Sequence, residues 1–398
     1  MGPFLARNII KMFTILFFFS ASFLLTGCWD RREINDTAIV LGAAIDKSNG
    51  KNIRLAVQFL APQAIGGQQG GGGGGPKVLM RSAIGENMVD AASKLQVQLP
   101  RKLFWGHCKI YIIGEKLAKG GALNEQIDFL IRHPEPRDRA YLFVSSGKAS
   151  KVLEFQPLSE LHVGEGLRKI AEMHIGKTTT VKDFEQMVTG DAGVAITPLI
   201  KMVPAKKGEK GKIFPLMAGT AVLKKDKMIG QIDTKVTRGM LWLRNEIEVT
   251  AITINPKKGE TISIDPIRQK MKLFPTIENG KWKILAKGTL EGSVMQNGSH
   301  FTVMTSSVRK RIEKDIENTV KQRINLSLKQ VKVGMNADAF GFADAFHRKY
   351  PKEWKKVKNH WDKVLPQVDV KIDIKARIRR PGLSSTPAGL KEKEVIKK

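Results

Sequence analysis

The sequence predicts an α+β protein of three consecutive mixed domains with antiparallel sheets, the last with a long amphipathic helix packed on a sheet. Three observations carry that reading. Asn49-Gly50, Asn279-Gly280 and Asn297-Gly298 each stand between β-rich runs, where the positive φ that Asn and Gly tolerate closes a tight hairpin. From Thr305 onward Val308, Ile312, Ile316, Val320, Ile324, Leu328 and Val331 recur every three or four residues and draw one apolar stripe along a helix. Near the C-terminus Val368, Val370, Ile372, Ile374, Ala376 and Ile378 alternate with polar and charged residues, the period of a strand with one buried face and one wet face.

The chain opens on a targeting segment, residues 1–27. Arg7 and Lys11 supply a positive n-region, Met12 to Leu25 an apolar h-region, and Leu25-Thr26-Gly27-Cys28 matches the bacterial lipobox at all four positions. Met12 to Gly27 is sixteen residues, short of the roughly 20 that a spanning helix needs. An ordinary secretory signal or an uncleaved signal anchor is the alternative, with Cys28 incidental; an ordinary cleavage site would favour small residues at A-x-A spacing. The expectation is an S-diacylglycerol lipidation at Cys28, with cleavage just before it. Two acyl chains at about 0.8 kcal/mol per buried methylene hold a protein on a membrane without crossing it.

Residues 28–203 read as the first α+β domain. Thr37 to Ile45 and Ile53 to Leu60 form a hairpin over Asn49-Gly50. Gly66 to Pro76 is a flexible surface loop; no Lys-Ser or Lys-Thr follows at the spacing of a phosphate-binding loop. Helices are expected at Glu86 to Leu99, Leu123 to Ile131, Leu158 to Met173 and Val181 to Val188. Strands are expected around Cys108, at Tyr141 to Ser145 and at Val194 to Val203.

The charged, glycine-bearing break Pro204 to Lys212 introduces a mostly β middle domain, 204–286. Its expected strands are Ile213 to Lys224, Met228 to Ile232, Ile247 to Ile254, Thr261 to Ile267 and Met271 to Ile277, with a short helix at Thr234 to Leu243. A third α+β domain, 287–380, would place the long helix on a sheet made of Gly288 to Met295, Phe301 to Met304 and Gln367 to Arg379. The charged tail 381–398 has little to bury and reads as disordered.

Composition narrows the chemistry. The 398 residues carry a net charge of +29, and losing Arg7 and Lys11 with the signal leaves +27. Nucleic acid is the usual partner of such a balance, but an exported protein rarely meets it; an anionic lipid membrane surface fits better. Lys and Arg spread over all faces as solvated charge is the plain alternative. Once Cys28 is acylated, Cys108 has no partner, so no disulfide frames the fold. Cys108 beside His107 invites a nucleophile, yet it lies in an apolar strand-like run where a free Cys acts as a small hydrophobe. G-x-S-x-G and H-E-x-x-H are absent from the sequence, and the seven histidines are scattered. His162-Val163-Gly164-Glu165 is the nearest approach to a metal pair. No catalytic, cofactor or metal residue is assigned.

Gly27-Cys28-Trp29-Asp30-Arg31-Arg32-Glu33-Ile34-Asn35, directly behind the lipobox, resembles the opening signature of the Ger(x)C spore-germination lipoproteins. The likeness continues through Gly42-Ala43-Ala44-Ile45-Asp46-Lys47, Gly106-His107, Gly114-Glu115, Gly219 to Lys224 with Gly230, and Arg238-Gly239-Met240-Leu241-Trp242. It ends with Phe340-Gly341-Phe342, then Phe346 to Trp354 and Trp361. The resemblance covers Cys28 to about Gly382. It implies a lipoprotein on the extracytoplasmic face of the inner spore membrane, assembled with integral membrane A- and B-type subunits into a receptor for small nutrients. An extracytoplasmic solute-binding lipoprotein is the rival; it would need two α/β lobes, which the hairpins after Pro204 oppose. The aromatic residues at Phe346, Tyr350, Trp354 and Trp361 suit a core, Pro351 suits a first helical turn, and Gly219 and Gly239 suit close backbone packing.

Overall fold

The computed structural model describes residues 11–16, 36–61, 77–157, 160–204, 213–248, 251–303, 305–382, 384, 387–391 and 394–396. The lipobox, Trp29 to Asn35, the glycine run Gly66 to Pro76 and all of the 204–212 break except Pro204 lie outside the described residues. Residues 11–16 are helical, and no helix among the described residues is long and apolar enough to cross a membrane.

β1 (Thr37–Lys47) and β2 (Ile53–Ala61) form the first expected hairpin, with Lys47 opposite Ile53 and Gly50 at φ 62°. β3 (Lys77–Gly85) pairs antiparallel with β2. α1 (Met88–Val97) starts at Asn87, whose side chain accepts from the Asp90 N–H, and buries Met88, Ala91 and Leu95. β4 (Lys102–Phe104) and β5 (Ile110–Gly114) both run parallel to β1. After α2 (Glu115–Gly120) and α3 (Leu123–Arg132), β6 (Tyr141–Ser146) lies parallel to β5. α4 (Ala149–Leu153), α5 (Val163–Glu172) and α6 (Val181–Thr189) then lead to β7 (Val194–Pro204), parallel to β6. β8 (Ile213–Lys224) and β9 (Lys227–Asp233) close the sheet as an antiparallel meander.

This nine-stranded sheet, in the order β3-β2-β1-β5-β6-β7-β8-β9 with β4 beside β1, is mixed and not purely antiparallel as expected. The helices between β5, β6 and β7 supply the crossovers that parallel neighbours require. Parallel strands covered on both faces read as unbroken apolar runs: Ile110, Tyr111, Ile112 and Ile113 are all buried, alternately in the cores on the two sides of the sheet.

The break at 204–212 does not separate two sheets, because Val203 pairs with Phe214 across it. Of the expected middle region, β8 and β9 belong to the first sheet and the strands from Ile252 onward to the second. α7 (Thr234–Arg244) joins them. The second sheet has the order β10-β11-β12-β13: β10 (Ile252–Ile254), β11 (Thr261–Glu278), β12 (Lys281–Gly298) and β13 (Asp369–Arg380). Thr261 to Ile267 and Met271 to Ile277 are one strand with an irregularity between Pro266 and Arg268, and Asn279 (φ 50°) and Gly280 (φ 73°) make the expected turn into β12.

β13 is parallel to β12. The crossover between them holds α8 (Ser306–Ser327), a π-helical continuation Leu328–Gly334, α9 (Phe342–Lys349), α10 (Pro351–Val357) and α11 (Trp361–Val364). All seven stripe residues from Val308 to Val331 are buried, with α8 packed on β13 and across α7.

Asn297-Gly298 is not a hairpin. Asn297 Oδ1 accepts from the Ser299 N–H and Oγ, and Nδ2 donates to the Phe301 carbonyl, so the amide side chain closes the turn. Phe301 forms no strand with β12; it bridges in parallel to Ile396. The described part of the tail is held at that contact: Thr302 N–H donates to Ile396 O, Ile396 N–H donates to His300 O, and Val395 is buried.

Candidate functional site

Cys28 lies outside the described residues. The other residues that carry the resemblance have defined places, and most of them hold backbone. Asp46, at the end of β1, accepts from the Ala149 and Ser150 N–H groups at 2.7 and 2.9 Å and thereby caps α4. Gly114 passes so close that a Cβ there would sit 2.1 Å from the Asp46 carboxylate. Gly239 lets α7 cross α8, since its Cβ would lie 2.0 Å from the Arg323 carbonyl oxygen; Gly219 approaches the Ile232 carbonyl equally closely. His107 is exposed beside Phe104.

Phe346, Trp354, Trp361 and Trp282 form one aromatic cluster, with ring centroids 4.6 Å apart for Trp282–Phe346 and 5.1 Å for Trp354–Trp361. Tyr350 packs against the same core, and Pro351 occupies the first turn of α10. Below the cluster Asp338 is wholly buried. Its carboxylate accepts from the N–H groups of Phe340, Phe342 and Ala343 and from Trp361 Nε1, the last at 3.1 Å. Burial pushes the Asp338 carboxyl upward against these donors.

The reactive readings dissolve on inspection. Cys108 is 2% exposed, and burial pushes its thiol up to about 12, far from the thiolate a nucleophile needs. His162 is the N-cap of α5: its Nδ1 accepts from the Glu165 N–H at 3.1 Å. Glu165 turns instead to Arg168 at 2.6 Å and Lys109 at 3.2 Å, which hold its carboxyl down at about 2. Among the described residues no three His, Cys, Asp or Glu side chains gather as a metal site.

The candidate site is a cleft between the two sheets that sequence reasoning did not find. About 530 Å³ opens between α6, the start of β7, the end of α7 and the turn into α9, with Lys177, Asp183, Asp191, Arg244, Glu246 and Asp344 on its walls. A neighbouring hollow of about 590 Å³ shares Asp191 and Asp338. Lys177 Nζ meets Glu246 at 2.8 Å, Arg244 meets Glu246 at 2.6 Å, and Arg244 Nη1 donates to the Ala339 carbonyl. Lys224 donates to the Asn336 carbonyl, and His347 Nδ1 lies 2.6 Å from Asp191. Burial and the Arg244 charge push Lys177 down against the pull of Glu246; burial would raise Glu246, but Arg244 and Lys177 hold it below the usual range. These groups spend their charge on one another and tie the first sheet to the crossover of the second. The one signal the sequence offered was Asp338, a lone carboxylate among apolar residues just ahead of a helix.

Comparison with known proteins decides the family. Residues 30–202 match the spore germination protein N-terminal domain, and residues 218–382 match the spore germination B3/GerAC-like C-terminal domain. The chain belongs to the Ger(x)C family. Spore germination protein KC of Bacillus subtilis (strain 168) is 28% identical over 92% of this chain and 94% of its own length. Spore germination protein B3 of the same organism is 25% identical over 92% of this chain and 96% of its own. The crystal structure of the GerBC protein matches with a TM-score of 0.55 at 22% identity, covering 87% of this chain and 100% of that one, a likeness of fold. The two Ger(x)C matches part at 202 and 218, between β7 and β8 of one sheet, so the family's sequence halves and the two sheets do not coincide.

Proposed function

We propose that the chain is the lipid-anchored C-type subunit of a spore nutrient germinant receptor, working by assembly with integral membrane A- and B-type subunits on the extracytoplasmic face. The observation that carries this is order: both halves of the family match in sequence, beginning at Asp30, two residues behind the lipobox cysteine. Eight residues lie between Cys28 and Thr37 at the start of β1, nine steps of the backbone. At roughly 3.3–3.6 Å each when fully extended, they keep that strand within about 30 Å of the membrane. Two sheets tied by partly buried ion pairs and backbone caps suit a scaffold that presents surfaces to partners.

Co-purification of the tagged chain from spore membranes is the test. Recovery with two polytopic subunits is expected; recovery without any would overturn the receptor reading. Cys28→Ala should move the chain to the soluble fraction and abolish acyl labelling, and unchanged membrane retention would sink the anchor. The cleft favours one second reading, the solute-binding lipoprotein. Micromolar binding of an amino acid or sugar to the chain alone, seen by calorimetry, would favour it, whereas silence is expected because the cleft cations Lys177 and Arg244 are already engaged by Glu246.

A further inference from the structure

The second sheet is covered on one face only. Met271, Ile284, Ala286, Leu290, Ile374 and Ala376 turn inward to the core. The other face is open, and strand register sets its side chains in rows across β11, β12 and β13. Arg268, Glu291 and Arg377 share a row; the next holds Lys270, Thr289 and Lys375; the next, Lys272, Lys287 and Asp373. Phe274, Leu285 and Lys371 follow, and then Thr276, Lys283 and Asp369. Eight of these fifteen positions are Lys or Arg and three are acidic. One acid, Glu291, is already taken by Arg379 at 2.6 Å. Lys272 stands directly opposite Lys287, a like-charge pair that weakens a hairpin.

We infer that this open face docks on an anionic lipid bilayer, which deepens the anchored-subunit reading above and rests on it. Charge complementarity is the main argument. Lys and Arg near an anionic membrane attract it by a few-fold in affinity each, and the effect fades within a Debye length, so the charges must lie on one face to act together. Here the sheet places them on one face. The residue type favours lipid over an acidic protein: six of the eight cations are Lys, one of them, Lys283, paired with Glu278 at 2.7 Å, and Lys is the residue depleted in protein interfaces. Phe274 is 41% exposed in the fourth of these rows beside half-buried Leu285, as an amphipathic surface that settles among headgroups requires.

The test uses the lipidated mature chain with Thr289→Cys carrying a fluorophore. Cys108 is buried and Cys28 is acylated in this reading, so the label is unique. Vesicles are phosphatidylcholine with or without 30 mol% phosphatidylglycerol, containing a headgroup nitroxide lipid as quencher, and flotation is scored in parallel. Quenching at position 289 is expected only with phosphatidylglycerol and should vanish in 1 M NaCl. Lys270→Gln with Lys272→Gln and Lys375→Gln should lower the docked-to-undocked ratio by about two orders of magnitude while flotation persists. The salt series on the unsubstituted face decides the matter if that variant folds poorly. Flotation without quenching overturns the docking face and leaves the anchor standing. Quenching equal to that of a Lys51→Cys label on the first sheet, or protection of position 289 only when the polytopic subunits are added, also overturns it. Failure to float overturns the anchor reading itself.

Discussion

Gly239→Ala should destabilise this protein although it improves helix propensity. Gly239 lies inside α7 where that helix crosses α8, and an added Cβ would stand 2.0 Å from the Arg323 carbonyl oxygen and 2.6 Å from its carbon. An ordinary contact begins near 3.4 Å, so the helices must part by roughly 1.4 Å. The obstacle is backbone, and no rotamer change relieves it. Overpacking of this kind costs about 1–3 kcal/mol, with this site at the upper end, and the propensity gain of about 1 kcal/mol offsets only part of it. A net loss of about 2 kcal/mol lowers the melting temperature by about 2–3 °C for a cooperative unit of this size. Gly166→Ala in α5 is the control, since the nearest atom to its Cβ would be Glu160 Cγ at 3.9 Å; it should stabilise by up to about 1 kcal/mol. Thermal and guanidinium unfolding of both variants checks the pair. A Gly239→Ala chain as stable as the original would refute the crossing geometry.

The remaining predictions follow from buried or paired groups. Glu165 is held down at about 2, against an ordinary 4.5, first by Arg168 and then by Lys109, so its contribution is full above about 4.5 and is lost as pH falls toward 2. Urea titrations should therefore show Glu165→Gln less stable at pH 6 and converging on the original near pH 2; a constant difference would contradict this. Asp338→Asn puts an amide N–H₂ among four donors and should cost about 3 kcal/mol, read by unfolding followed through tryptophan emission. A disulfide reagent at pH 8 should find no reactive thiol in the native lipidated chain and one, Cys108, in denaturant. Two thiols would mean that Cys28 is free.

What could be read in advance was local. The stripe from Val308 to Val331 and the alternation at 369–380 are set by one element's own period, and Gly50 and Gly280 took the positive φ their turns demand. Parallel pairing was illegible because Ile110 to Ile113 is apolar on both faces, which period cannot assign to a sheet direction. Asn297-Gly298 misled because the Asn side chain closed the turn itself and Phe301 bridges to Ile396 and not to β12. The cleft was invisible for a related reason: Lys177, Glu246 and Ala339 are distant in sequence and meet only once both sheets are folded.

Composition left two readings of the charge open, solvated cations on every face or cations positioned for an anionic partner. The fold bears on that choice through where the acids go. Residues 36–248 hold 31 Lys and Arg against 21 Asp and Glu, while residues 251–398 hold 32 against 15. Several of the acids are drawn inward: Asp46 caps α4, Glu246 binds Lys177 and Arg244, Asp338 is buried, and Glu313 and Glu317 accept from the Ile378 and Ala376 N–H groups along the free edge of β13. Each carboxylate used to satisfy backbone or a buried cation is one fewer to neutralise the surface. The larger surplus lies in the part of the sequence whose sheet has an open face, and folding adds to it there by turning Glu313, Glu317 and Asp338 inward; a purely solubilising charge would not need that placement.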